Sequence, residues 1–231
     1  KLKGIVKKKR FLYINKKVSS RAQSNAIEKI LAYHRIPETT EKNKIAIIST
    51  GEKAYRELMQ LLDDAQETIE IQTYIIGNDE VGDAILQRLV EKAKAGVKIR
   101  LLVDGLFAFI YPKSKLDHLR KSGIAVSLFL PLRFRIFRSR VNLRNHRKLI
   151  IVDRKIAIMG GMNLAKNYMG PVKEIDRWCD IALSVQGESI AVLSQLFESD
   201  WHFSQKEVSN IEKPSIHATT SFTDLTDKQN L

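Results

Sequence analysis

The sequence predicts an α/β fold built in layers, with a mixed β-sheet flanked by helices on both faces. The 231 residues are 44% hydrophobic, which is enough apolar material for a substantial core. Along the first part of the chain, short apolar runs alternate with segments of helical periodicity, as they do in α/β proteins. Farther on, two apolar runs are separated only by Arg154 and Lys155, which indicates a hairpin and therefore antiparallel strands as well.

The first part of the chain is predicted to alternate helices and strands. Leu58, Leu61 and Leu62 fall at helical spacing. Gly96 and Gly123 are suited to end the helices that precede them. We predict helices at 22–34, 52–66, 81–95 and 113–122, and strands at 47–51, 68–76, 97–104 and 124–130.

The second part is predicted to contain three strands and a closing helix. The strands are placed at 148–153, 156–160 and 178–185, and the amphipathic helix at 188–202. From Lys206 the chain becomes polar. We therefore predict a basic segment at 1–44 that lies close to a membrane, a catalytic domain at 45–204, and a polar tail or linker at 205–231. Because the chain begins at Lys1 rather than Met, we also expect that an upstream segment has been removed.

Charge and cysteine content narrow the class of protein. Lys and Arg outnumber Asp and Glu by 39 to 26, a net charge of +13, which favours an anionic partner such as nucleic acid or an acidic membrane. The single cysteine, Cys179, excludes an internal disulfide and a multi-cysteine metal site. No apolar run reaches the ~18 residues of a membrane-spanning helix.

The segment 145–163, NHRKLIIVDRKIAIMGGMN, carries the chemistry. His146 and Lys148 are two residues apart at the start of a strand, so their side chains share a face. If Arg154 and Lys155 form a two-residue loop, Gly161 lies opposite Lys148, and Asn163 lies opposite His146. An imidazole, a cation, an amide and a glycine backbone would then share one patch, which suits a phosphodiester. Asp153 faces differently, so we expect it to orient the hairpin or a neighbour rather than to contact phosphate.

These residues resemble the signature of the phospholipase D superfamily, H-x-K-x4-D followed by x6-G-[GS]-x-N. The matching positions are His146, Lys148, Asp153, Gly160, Gly161 and Asn163. The segments 71–104, 144–148, 163–170 and 178–180 further resemble the bacterial cardiolipin synthase branch, and the resemblance covers about 46–203. It implies a phospholipase D-like fold for the layered domain.

The resemblance also implies a reaction and roles for residues. Such enzymes transfer a phosphatidyl group in two steps through a phosphohistidine, without a metal or another cofactor, and form cardiolipin and glycerol from two phosphatidylglycerol molecules. Catalytic roles fall on His146, Lys148 and Asp153, with His146 as the nucleophile or its acid partner. Phosphate binding falls on Asn163 and Gly161 beside Lys148, and Asp180 would be the carboxylate that holds the imidazole.

The chain departs from this family in having one H-x-K motif where the family site uses two. It is therefore either the N-terminal half of a two-motif protein or a chain that completes its site in a homodimer. Two other functions stay open. One is a phosphodiesterase or nuclease of the same superfamily, and the other is a catalytically incomplete half-site that only binds.

An arginine-rich segment before the motif favours a lipid partner over nucleic acid. Its arginines are spaced by Leu, Phe, Ile and Val rather than by aromatic residues alone, which predicts an amphipathic element on an anionic bilayer. Each cation near such a surface contributes ~1 kcal/mol. We assign lipid binding to Arg133, Arg135, Arg138, Arg140 and Arg144. Residues 1–20 hold eight Lys and Arg and no acid, which would suit the cytoplasmic face of a bacterial cell membrane.

Overall fold

The computed structural model of the chain describes residues 26–33, 40–106, 111–131 and 144–212. The helices are α1 (Ala26–Tyr33), α2 (Gly51–Asp64), α3 (Glu80–Lys94), α4 (Lys113–Lys121) and α5 (Ser189–Glu212). The strands are β1 (Asn43–Ile48), β2 (Thr68–Thr73), β3 (Lys98–Asp104), β4 (Ala125–Phe129), β5 (Lys148–Val152), β6 (Ile156–Gly160) and β7 (Ala182–Gly187). The predicted order of elements is therefore confirmed across these residues.

The strands form one mixed sheet in the order β1-β7-β6-β5-β2-β3-β4. Strands β2, β3 and β4 are parallel, because each is joined to the next through a helix. Strand β5 runs antiparallel to β2, and β5, β6, β7 and β1 continue as antiparallel neighbours. The start of β5 therefore lies at the same edge of the sheet as the carboxyl ends of β2 and β3.

Helices cover both faces of the sheet, as the sequence predicts. Helices α2, α3 and α4 pack on one face around residues such as Ile71 and Ile150. Helix α5 packs on the other face, against Leu149, Ile151 and Val185. Because successive side chains of a strand point to opposite faces, Lys148 projects towards the α2 face and Arg147 towards α5.

The predicted register of the β5–β6 hairpin is wrong by one residue. Lys148 pairs with Gly160 and Val152 with Ile156, so the turn contains three residues instead of two. Asp153 leaves the ladder because it adopts a φ of 50°, a left-handed conformation that aspartate tolerates better than most residues. Gly161 and Asn163 therefore lie beyond the end of β6 and not opposite Lys148 and His146.

Several boundaries also differ from prediction, and β2 ends at Thr73 rather than at 76. Strand β7 begins at Ala182 rather than at 178, because the backbone N–H of Trp178 bonds to the carbonyl of Asn167 (2.8 Å) and not to a strand. Strand β1 is Asn43–Ile48, so it begins before the predicted strand at 47–51 and before the predicted domain start at 45, and α2 already begins at Gly51. Helix α5 continues to Glu212, so the first part of the predicted polar tail is helical.

Candidate active site

Four strand ends converge where the motif lies. Tyr74 follows β2, Asp104 ends β3, and Leu130 follows β4, while His146 lies two residues before the start of β5. Loops at the carboxyl ends of parallel strands are the usual place for ligands in α/β proteins. The antiparallel β5 brings the motif to this edge from the opposite direction.

The imidazole of His146 is exposed and lies flat on an aromatic ring. Its ring centroid is 3.8 Å from that of Tyr74, and the two planes make an angle of 23°. The ammonium nitrogen of Lys148 lies 5.6 Å from the centre of the same Tyr74 ring and donates a hydrogen bond to the His146 carbonyl (2.9 Å). Tyr74 therefore brings the imidazole and the cation together.

The environment of Lys148 favours release of its proton relative to a free lysine. Lys148 lines a small cavity together with Ala54, Leu58 and Ile150. Burial lowers its pKa, while the negative charge of Asp180 raises the pKa in part. A bound phosphate would stabilise the charged form of Lys148, because its negative charge compensates for the hydration that the ammonium group loses on burial.

Asn163 reaches the same place from the segment after β6. It is buried, and its Oδ1 accepts a hydrogen bond from the backbone N–H of Ile75 (3.2 Å), the residue that follows Tyr74. Because a backbone N–H requires an acceptor, the orientation of the amide is fixed. Its Nδ2 is then the atom that can donate to a phosphate oxygen.

Gly161 and Asp180 lie side by side at this edge. The N–H of Gly161 bonds to the carbonyl of Ile181 (3.0 Å), and a Cβ on Gly161 would overlap the carboxylate of Asp180. Asp180 Oδ1 accepts a hydrogen bond from the Ile181 N–H (2.7 Å). The structure thus places Asp180 beside Lys148 and Gly161, and the bond described for its carboxylate is to its neighbour, not to the imidazole of His146.

Asp153, which the resemblance lists with the catalytic residues, lies at the opposite end of β5. Its carboxylate accepts three backbone hydrogen bonds, from Gln66 (2.9 Å), Glu67 (2.7 Å) and Thr68 (2.8 Å). Its own N–H donates to the carbonyl of Thr68 (2.8 Å). Asp153 therefore ties the hairpin turn to the start of β2, as its position on the other face predicts, and is not brought to His146.

An imidazole backed by an aromatic ring, with a cation and an amide donor beside it, can act on a phosphodiester. The imidazole can attack phosphorus or transfer a proton, and the two donors can bind the non-bridging oxygens. Within the residues that the structure describes, no group of three or more His, Cys, Asp and Glu side chains is arranged to hold a metal ion.

The comparison with protein families decides the classification. The family model described as "Cardiolipin synthase, PLD-like domain" matches residues 58–201, which is more than half of the chain and includes every residue of the site. The chain belongs to this family. It is therefore a phospholipase D-like domain of the cardiolipin synthase branch, as its motif predicts.

Relatives and solved structures agree with this classification of the phospholipase D-like domain. A cardiolipin synthase of Alkalihalophilus pseudofirmus is 33% identical over 161 residues, which are 70% of this chain and 32% of that protein. NucT from Helicobacter pylori has the same fold, with a TM-score of 0.56 at 18% identity over 70% of this chain and 97% of the other. Nuc from Salmonella typhimurium, a phospholipase D family member, gives 0.54 at 16% identity, with coverages of 70% and 95%. The chain thus spans about a third of the length of that cardiolipin synthase.

One arginine of the predicted lipid-binding set has a different role in this phospholipase D-like domain. The side chain of Arg144 is only 9% exposed and pairs with the buried Asp104 (3.3 Å), and it also donates to the Leu130 carbonyl (3.0 Å). Its assignment to lipid binding is therefore wrong, because its charge is already neutralised inside the protein. Arg133, Arg135, Arg138 and Arg140 lie outside the described residues.

Sequence reasoning missed three residues of the phospholipase D-like site. Tyr74 stacks on His146, and Asp104 accepts the backbone N–H of Asn145 (3.0 Å). Asp200, on α5, bonds to residues on both sides of His146. The positions of Tyr74 directly after β2 and of Asp104 at the end of β3 could have indicated the first two, but nothing in the sequence near Asp200 connects it with the motif.

Proposed function

We propose that this chain supplies one half of a phosphatidyl transferase site of the cardiolipin synthase type. The observation that supports it is the convergence of His146, Lys148 and Asn163 beside Tyr74, in a chain of the cardiolipin synthase family. The second motif would come from the rest of a longer chain, in which this is the N-terminal half, or from a second copy. The relative in Alkalihalophilus is about three times as long as the matched segment, which favours the longer chain.

The proposed reaction converts two phosphatidylglycerol molecules into cardiolipin and glycerol. In the first step, the imidazole of one motif attacks phosphorus, a nitrogen–phosphorus bond forms, and the bond to the glycerol headgroup breaks. The imidazole of the other motif gives its proton to the departing glycerol. In the second step, this second imidazole takes a proton from a hydroxyl of another phosphatidylglycerol. The oxygen of that hydroxyl attacks phosphorus, and the nitrogen–phosphorus bond to the first imidazole breaks. His146 is one of the two imidazoles, and Lys148 and Asn163 bind the phosphate in both steps.

Exposed apolar side chains next to the site support a lipid substrate. Four of them lie on the segment that leads from Gly170 into β7: Val172, Ile175, Trp178 and Ile181, with Ile175 96% exposed. Arg177 holds this segment from inside, through bonds to the carbonyls of Lys166 (3.1 Å) and Val172. An exposed apolar patch held in a fixed position suits a membrane surface.

We therefore propose that the domain acts on the surface of an anionic membrane, on its cytoplasmic face. No helix among the described residues is long and apolar enough to cross a bilayer. Attachment would combine the apolar patch with Arg133, Arg135, Arg138 and Arg140 and with the basic residues of 1–44. Nucleic acid is not an expected partner.

A product assay tests the reaction. The chain is incubated with phosphatidylglycerol vesicles and excess EDTA, and the lipids are identified by mass spectrometry, with His146→Ala as the control. We expect cardiolipin from the wild type and none from the variant. Phosphatidic acid alone would indicate a hydrolase, and faster cleavage of single-stranded DNA than of lipid would indicate a nuclease. If the chain is monomeric and inactive, the same assay on the longer chain decides the proposal.

Tryptophan fluorescence tests the membrane surface. The chain has two tryptophans, and Trp201 is buried, so Trp201→Phe leaves Trp178 as the reporter. We expect a blue shift with phosphatidylglycerol vesicles that weakens with salt and is absent with phosphatidylcholine vesicles. Replacing Arg133, Arg135, Arg138 and Arg140 with Gln should weaken binding. Vesicle binding that changes neither with salt concentration nor with these substitutions would contradict the proposal.

A further inference from the structure

Helix α5 carries a buried carboxylate that contacts the active-site segment from behind. Asp200 is 5% exposed, and its Oδ2 accepts hydrogen bonds from three side chains. The donors are Gln72 Nε2 (2.8 Å), Asn145 Nδ2 (2.9 Å) and Arg147 Nη1 (2.5 Å). Asn145 and Arg147 are the residues on either side of His146.

The contacts around Asp200 fix the backbone at His146. The Oδ1 of Asn145 accepts the N–H of Arg147 (3.2 Å), so the two flanking residues are also bonded to each other. The N–H of Asn145 donates to Asp104 (3.0 Å). Since Asn145 and Arg147 both turn towards α5, the side chain between them turns the other way, and its ring stacks on Tyr74.

We propose that Asp200 is a positioning residue that holds the imidazole of His146 on Tyr74 by binding the two residues beside it. It does not touch the substrate. Its effect on turnover rests on the function proposed above, but its effect on the position of the imidazole does not. Gln72, on β2, fixes the carboxylate itself relative to the sheet.

A purely structural role for Asp200 is the competing explanation, and α5 offers a matched control. Glu198 lies two residues earlier and bonds to Arg100 (2.6 Å) and Arg154 (2.9 Å), which join α5 to the sheet and to the hairpin turn. These partners lie away from the edge where His146 is found. Glu198→Gln should therefore weaken the attachment of α5 without moving the imidazole.

The first measurement is NMR of the chain labelled at histidine. His146→Ala assigns the signal, and Tyr74→Leu gives its position without the neighbouring ring. We expect the wild-type His146 ring protons to be shifted upfield by Tyr74. Asp200→Asn should remove most of that shift, and Glu198→Gln should keep it. Arg147→Gln, whose side chain is 45% exposed and not needed for the core, should give an intermediate shift.

The second measurement is turnover of phosphatidylglycerol vesicles. Misplacing a reacting group by about 1 Å costs ~10²-fold in rate, so Asp200→Asn should lower kcat by ~10²-fold with little change in KM. Glu198→Gln should leave both values unchanged at a temperature where it is folded.

The outcomes separate the two proposals. If Asp200→Asn keeps both the His146 shift and kcat, while its Tm falls as in Glu198→Gln, the positioning role is refuted. If Asp200→Asn does not fold, an unchanged His146 shift in Arg147→Gln refutes it instead. If the shift is lost in Asp200→Asn but the wild type shows no turnover even in the longer chain, Asp200 positions the imidazole and the proposed function fails.

Discussion

Replacing Asp153 with Asn should destabilise the domain without impairing its chemistry. The carboxylate accepts three backbone N–H groups at the start of β2 and lies at the end of β5 remote from His146. Asn keeps the size of the side chain and tolerates the φ of 50°, so the substitution isolates the loss of the charged acceptor.

The size of the effect follows from the exposure of the three donors. A hydrogen bond to a charged group contributes ~1.5–3 kcal/mol when it is shielded from water. The N–H groups of Gln66 and Glu67 are exposed and can bond to water instead, whereas Thr68 is partly buried. We therefore expect a loss of about 2–3 kcal/mol in the free energy of unfolding. For a domain of this size, that corresponds to a fall in Tm of about 5–10 °C.

The effect should depend on pH. Burial raises the pKa of Asp153. The hydrogen bonds from the backbone N–H groups of Thr68, Gln66 and Glu67 lower it by more, so the pKa is below its usual value. A carboxylate with a lowered folded-state pKa stabilises the protein above its unfolded-state pKa, and this contribution is lost as the pH falls through the folded-state pKa. The difference between wild type and variant should be full at pH 7 and should shrink below about pH 4.

Chemical denaturation at pH 7 and pH 3 measures this difference. Asp117→Asn is the control, because that carboxylate forms an exposed pair with Arg120 (3.1 Å) and should contribute less than about 0.5 kcal/mol. Turnover is measured at a temperature where all variants are folded, and it should be unchanged in Asp153→Asn. Unaltered stability together with lost turnover would refute the reasoning and return Asp153 to the chemistry.

Three further predictions follow from the contacts at the site. Arg144→Gln should lower the free energy of unfolding by about 3 kcal/mol, measured by denaturation, because it removes the cation that pairs with the buried Asp104 carboxylate. Vesicle binding should not change. Asp180→Asn should lower the pKa of Lys148 further, measured by NMR of the side-chain nitrogen, because Asp180 raises it now; an unchanged pKa would contradict the placement. Gly161→Ala should displace the Asp180 carboxylate, and so also lower the Lys148 pKa and reduce turnover. A crystal structure of the variant with Asp180 unmoved would refute this.

The sequence predicted the elements well and the register poorly. Periodicity and glycine positions located both ends of α3 and α4 within a residue or two. The buried face of a helix places apolar residues at helical spacing, and this spacing can be seen in the sequence. The hairpin register depended on whether Asp153 belongs to the strand or to the turn. Asp153 is held in the turn by hydrogen bonds from three backbone N–H groups more than 80 residues earlier in the chain. No local sequence pattern shows these bonds.

The motif by itself determined the family and the candidate residues of the site. His146, Lys148, Gly161 and Asn163 stand at fixed spacing, and spacing within a short segment is a property of the sequence alone. Only the tertiary structure decided which residues support them. Tyr74 meets His146 because β2 and β5 are antiparallel neighbours. Asp200 meets the two residues beside His146 because α5 packs across the back of the same sheet. Those contacts are set by the packing of distant segments. The burial of Arg144 in its ion pair with Asp104 has the same origin.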